Sequence, residues 1–137
     1  MKRGAMRAAE LRRVAASVLL GAALGTGANI TRAEAIDLLW RDGRHFERSL
    51  TIAPGKFAEI CGPLAAGQTI EWSFKADHAL NFNIHYHADK DVRFPAKQDQ
   101  TASLQGILAV DAQQDHCWMW VNKATTAARL TLALTRK

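Results

Sequence analysis

"NFNIHYH", Asn81 to His87, alternates apolar and polar residues without a break. Successive side chains of a β-strand point to opposite faces. Phe82, Ile84 and Tyr86 therefore share one side with Leu80, and Asn81, Asn83, His85 and His87 share the other. A one-residue slip would bury two amides and two imidazoles, at roughly 1–3 kcal/mol for each group left unpaired. The stretch predicts a strand whose apolar face is the core.

The same period extends in both directions. Strands are predicted at 45–52, 57–61, 68–75, 79–87, 102–110, 116–122 and 127–135,. Turns are predicted at "APGK" (53–56), "GPLAAG" (62–67), "ADH" (76–78), "ADKD" (88–91), "KQDQ" (97–100) and "DAQQD" (111–115), with Pro95 ending "VRF",. Only "TRAEAIDLLWRDG" has helical character. Seven or eight short strands with frequent turns predict an all-β sandwich or barrel.

The first 35 residues read as an address. "MKRGAMRAAELRR" is basic, "VAASVLLGAALGTGA" is an apolar run of signal-peptide length, and "AEA" (33–35) fits a small-x-small cleavage pattern,. The run is too short to span a bilayer. The expected division is a removed signal peptide, 1–35, and one domain, 36–137, in the periplasm or secreted, with no membrane attachment after cleavage. The chain carries net charge +5, but residues 1–35 hold six basic and two acidic residues, so 36–137 carries 12 and 11. No basic stripe remains to suggest a nucleic-acid partner. Cys61 and Cys117 are the only cysteines. In an oxidising compartment such a pair is most simply a disulfide. A redox pair or two metal thiolates lack support, because there is no C-x-x-C.

The order of features from Cys61 to Thr135 resembles the GOLD domain, the β-sandwich of secretory-pathway cargo receptors and some bacterial exported proteins. A Cys opens "CGPLAAGQTIEWSF", "LNFNIHYH" runs on to Pro95, "HCWMWVN" carries the second Cys beside an aromatic, and an apolar strand closes. The resemblance implies a jelly-roll-like sandwich of 7–8 antiparallel strands stapled by Cys61–Cys117, with a binding or adaptor role. Asn122 lies farther from Cys117 than the family's Asn usually does.

His85 and His87, spaced i, i+2, place both imidazoles on one strand face, where they can share copper or zinc given further ligands. The other reading of this face is a solvated strand surface. His116 is a third candidate ligand. With Met119 it would suit copper(I), but alternation points the two apart unless a bulge intervenes. Burying Cys117, Met119 and Val121 would leave Trp118 and Trp120 outward, and beside Asn81 and Asn83 they would suit a sugar or peptide. If the Trp pair is inward, that idea collapses. There is no G-x-S-x-G, Gly-rich phosphate loop or H-E-x-x-H,. The expectation is a non-enzymatic binding module for a metal ion, with a carbohydrate- or peptide-binding face or a purely structural envelope protein as alternatives, and a small ligand or an envelope protein as partner.

Overall fold

The computed structural model describes residues 34–137; the expected signal peptide lies outside them apart from Glu34 and Ala35. Seven strands follow one another: β1 Glu34–Asp37, β2 His45–Ile52, β3 Phe57–Leu64, β4 Thr69–Ala88, β5 Asp91–Ala109, β6 Gln114–Val121 and β7 Ala128–Arg136. They form a sheet ordered β1-β3-β6-β4-β7-β2, with β5 paired to β4. The sheet curls into a jelly-roll-like all-β sandwich. All pairings are antiparallel except β1 with β3, which is parallel.

The curl originates in β4. Residues Ile70 to Ala76 pair with β7, and Asn81 to Tyr86 pair with β6. Between Lys75 and Leu80 the register against β5 shifts. The polar "ADH" segment is thus a bend inside one 20-residue strand and not a turn. The strand keeps its direction while it leaves one layer for the other.

β5 corrects two further expectations. Pro95 and "KQDQ" lie within one 19-residue strand. Among the described residues β5 pairs only with β4, so a residue without an N–H is tolerated there,. Two bulges absorb the irregular residues. Phe94 and Pro95 together oppose His85, and Asp99 and Gln100 together oppose Asn81. Gln100 has φ of 54°, and its backbone and side-chain amides donate to Asn81 Oδ1 at 3.1 and 3.0 Å. The loop expected at 88–91 tightens to Asp89 and Lys90, with Ala88 paired to Asp91 and Asp89 at φ 55°.

β3 runs past Cys61 through Gly62 to Leu64. A Cβ on Gly62 would lie 2.6 Å from Leu38 Cβ, so the glycine serves close packing and not a turn,. From Glu34 onward, "EAIDLLWRDG" is strand and turn with no helix. Its first four residues add to β3, and Leu38 N–H donates to Cys61 O at 2.7 Å.

Leu80, Phe82, Ile84 and Tyr86 are buried, as their alternation requires. Phe82 lies 5.1 Å from Trp72, 4.8 Å from Phe74 and 5.6 Å from Trp120, centroid to centroid, so it joins the two halves of β4 to β6. A fully buried side chain of this size contributes about 1.5–3 kcal/mol. Trp118 and Trp120 are fully buried.

Asn122, also fully buried, closes one end of the sandwich. Its Nδ2 donates to Ile52 O at 3.0 Å and Thr126 O at 2.8 Å, and its Oδ1 accepts from Ala124 N–H at 3.0 Å. Asn122→Ala strands several buried backbone groups and is expected to cost roughly 3 kcal/mol, measured as a shift in the urea midpoint at unchanged slope. A change below about 0.5 kcal/mol would mean that these bonds are dispensable.

Candidate functional site

Register across three strands assembles the candidate site. Cys61 on β3 is opposite Cys117 on β6, and Cys117 is opposite His85 on β4. The three side chains form one row on the outer face. The next row on that face is Glu59, Met119 and Asn83, followed by Phe57, Val121 and Asn81. Cys61 and Cys117 form a disulfide with their Cα atoms 4.1 Å apart, the close approach expected of a non-hydrogen-bonded antiparallel pair.

His85 is at the centre and only 8% exposed. Its ring is covered by the disulfide row and by Phe94, whose ring centroid is 6.1 Å away. The Phe94–Pro95 bulge brings that aromatic over the histidine. His85 Nδ1 lies 2.8 Å from Asn83 Oδ1. An amide oxygen only accepts, so Nδ1–H donates and Nε2 carries the lone pair in the neutral ring. Glu59 Oε2 lies 3.9 Å from that nitrogen. Burial pushes the pKa of His85 below the ordinary 6.5; the Glu59 carboxylate opposes the shift and the charge of His87 adds to it.

His87 shares the face and is exposed, with its ring edge-on to His85 at 5.8 Å. Among the described residues, the donor atoms that converge within 4.8 Å of one another belong to Glu59, His85 and Cys117, without His87. His116 is separated from both. It is fully buried on the inner face, 4.7 Å from the Tyr86 ring, and its Nδ1 lies 3.0 Å from Gln114 O. Met119 is on the opposite face, so the His116–Met119 copper site does not form. Nor do Trp118 and Trp120 make a platform beside Asn81 and Asn83. Both rings belong to the core, which removes the sugar site built on them. Glu59 escaped the sequence reading: it looks like any polar residue of an alternating strand, and β6 lies between it and His85.

The outer face also carries apolar side chains. Phe57, Val92 and Phe94 are exposed, Met119 and Val121 partly so. Lys97 Nζ lies 5.6 Å from the Phe94 ring centroid.

No family model and no curated protein matches the chain. Solved structures do resemble it. One is PliG of Aeromonas hydrophila, a periplasmic lysozyme inhibitor of g-type lysozyme. It has 16% identity and a TM-score of 0.58, with 77% of this chain and 98% of that chain covered. The Salmonella Typhimurium PliG gives 10% and 0.55, covering 76% and 98%. The pre-peptidase C-terminal domain of a Bacillus anthracis collagenase gives 14% and 0.54, covering 80% and 100%. At these identities the likeness is one of fold.

The depressed pKa of His85 has a stability consequence. Below pH 6.5 the unfolded chain takes up a proton that folded His85 resists, so the unfolded state binds more protons and stability falls,. Above that pH the contribution is complete. Denaturant unfolding from pH 7.5 to 5 should show a steeper loss for the parent than for His85→Gln. Equal pH slopes would remove His85 as a source of acid sensitivity.

Proposed function

We propose that this chain is an exported, non-enzymatic binding module whose partner is a folded protein docked on the outer face of β3, β6, β4 and β5. The observation that carries this reading is the composition of that face. Phe57, Val92 and Phe94 are exposed there beside Met119, His85 and His87. Aromatic and methionine side chains are the types enriched at protein interfaces. Export is supported by the basic and apolar N-terminus and by the disulfide,. The resemblance to the GOLD domain belongs to the same proposal, as a binding role on a stapled sandwich.

The fold neighbours suggest which partner to test, since two of them are described as inhibitors of g-type lysozyme. The purified exported protein, titrated into a g-type lysozyme assay, is expected to inhibit. Phe94→Asp should weaken inhibition at least about tenfold, or ~1.4 kcal/mol. Undiminished lysozyme activity at every ratio rejects this partner. Inhibition unaffected by both Phe94→Asp and Phe57→Asp moves the contact off this face.

A second reading, a copper or zinc ion on His85 and His87, is favoured by His85 Nε2, the acceptor of the neutral ring, lying near a carboxylate. Two acceptors 3.9 Å apart suit a cation between them, and the Asn83 bond orients the ring as an outer partner orients a metal-bound imidazole. His87 would have to turn toward the pair. Cu(II) and Zn(II) titrations of the oxidised protein should give binding that weakens with acid, because ligating imidazole must be neutral. His85→Ala/His87→Ala should abolish it. A double variant that binds like the parent defeats this reading.

A further inference from the structure

Cys117, one half of the disulfide, belongs to the same donor cluster as His85 and Glu59. Cys61, Cys117 and His85 form one row across three adjacent strands, and Glu59 lies one step along the same face. Glu59, His85 and Cys117 offer a carboxylate oxygen, an imidazole nitrogen and a sulfur within 4.8 Å of one another. Cys61 Sγ is bonded to the third of these. The absence of a C-x-x-C counted against metal thiolates in the sequence. Cross-strand pairing supplies by register the proximity that such a motif supplies by spacing.

We propose that reduction of Cys61–Cys117 turns this row into a four-donor zinc site made of both thiolates, His85 Nε2 and the Glu59 carboxylate. A dithiol supplies the two electrons: the Cys61–Cys117 S–S bond breaks, the dithiol closes to its own disulfide, and two protons pass to the new thiols. Zn(II) then displaces those protons and bonds both sulfurs. In reverse, the S–S bond of an incoming disulfide breaks as it accepts two electrons, its sulfurs take up two protons from water, the protein S–S bond re-forms, and Zn(II) is released.

Two sulfurs with nitrogen and oxygen donors suit tetrahedral zinc, whose bonds of about 2.0–2.3 Å set the donors roughly 3.3–3.8 Å apart. The His85–Glu59 separation of 3.9 Å is already close to this; Cys117 Sγ, within 4.8 Å of both, closes by about 1 Å,, and Cys61 Sγ, freed from Cys117 by reduction, must swing in beside it. The sulfurs lie on the outer face, with Cys61 partly exposed, so a dithiol can approach. The site shares His85 with the metal reading above but takes its other donors from β3 and β6.

Zn(II) and Co(II) are titrated into the exported protein as oxidised and after reduction by a phosphine, which does not compete for zinc as a dithiol would. Zinc should bind the reduced protein at least about 100-fold more tightly. Co(II) should show thiolate charge-transfer and tetrahedral bands in the reduced form alone, and Cys61→Ser/Cys117→Ser should lose them. His85→Ala and Glu59→Gln should each weaken zinc by at least the ~10- to 100-fold that loss of an outer-sphere partner costs, and His87→Ala should leave it unchanged. Tryptophan emission reports the fold, because Trp118 and Trp120 are buried. If reduction unfolds the chain, zinc must restore the folded emission. Failure to do so, absent thiolate bands, or affinity indifferent to His85 and Glu59 each overturns the proposal. Zinc held by the oxidised protein through His87 would instead speak for the His85–His87 reading.

Discussion

The sandwich depends on β4 changing partners. Along one edge the strand keeps β5 for nearly its whole length, while along the other it gives up β7 at Ala76 and takes β6 at Asn81. A flat strand could not do this, because β6 and β7 would lie in one plane and leave both inner faces wet. The register shift after Lys75 lets the second half fold over the first. Phe82 then meets Trp72 and Phe74 from its own strand, so a local irregularity creates the enclosed core.

The same strand defines two chemically different faces. Inward, Leu80, Phe82, Ile84 and Tyr86 meet Trp118 and Trp120. Outward, His85 is held between a disulfide, a carboxylate, an amide and an aromatic ring. An imidazole so enclosed is neither a solvated surface group nor a core histidine such as His116. Its surroundings come from β3, β6 and the β5 bulge, each fixed by backbone pairing, so the cluster is preorganised by the sheet and not by a mobile loop.

Much of the fold was legible. Period-2 alternation in "NFNIHYH" identified the inner side of β4, and β2, β6 and β7 lie within one or two residues of their expected bounds. The failures share a physical cause. "ADH", Pro95 and "KQDQ" carry residues that favour turns, but bends, bulges and edge strands accept the same residues, and only the neighbouring strand distinguishes the cases. On β6 both faces hold apolar side chains, so alternation could not choose between the Trp pair and Cys117 with Met119. Packing chose the larger rings. The site was half legible: His85 and His87 stood out, whereas Glu59 and the disulfide join them only through β6.

The position of β7 bears on when this chain can fold. The last strand is interior to the sheet, between β2 and β4, with Phe46 opposite Leu134 and Trp72 opposite that same Leu134. Among the described residues, β2 has no strand beside it until residues near 136 are free, and the first half of β4 lacks its second edge. Synthesis from the N-terminus therefore leaves the β2–β7 and β4–β7 pairings unmade until β7 is available, and pairings this distant in sequence are slow in any case. The export proposed above, in which a chain crosses a membrane pore before it folds, would benefit from such a delay.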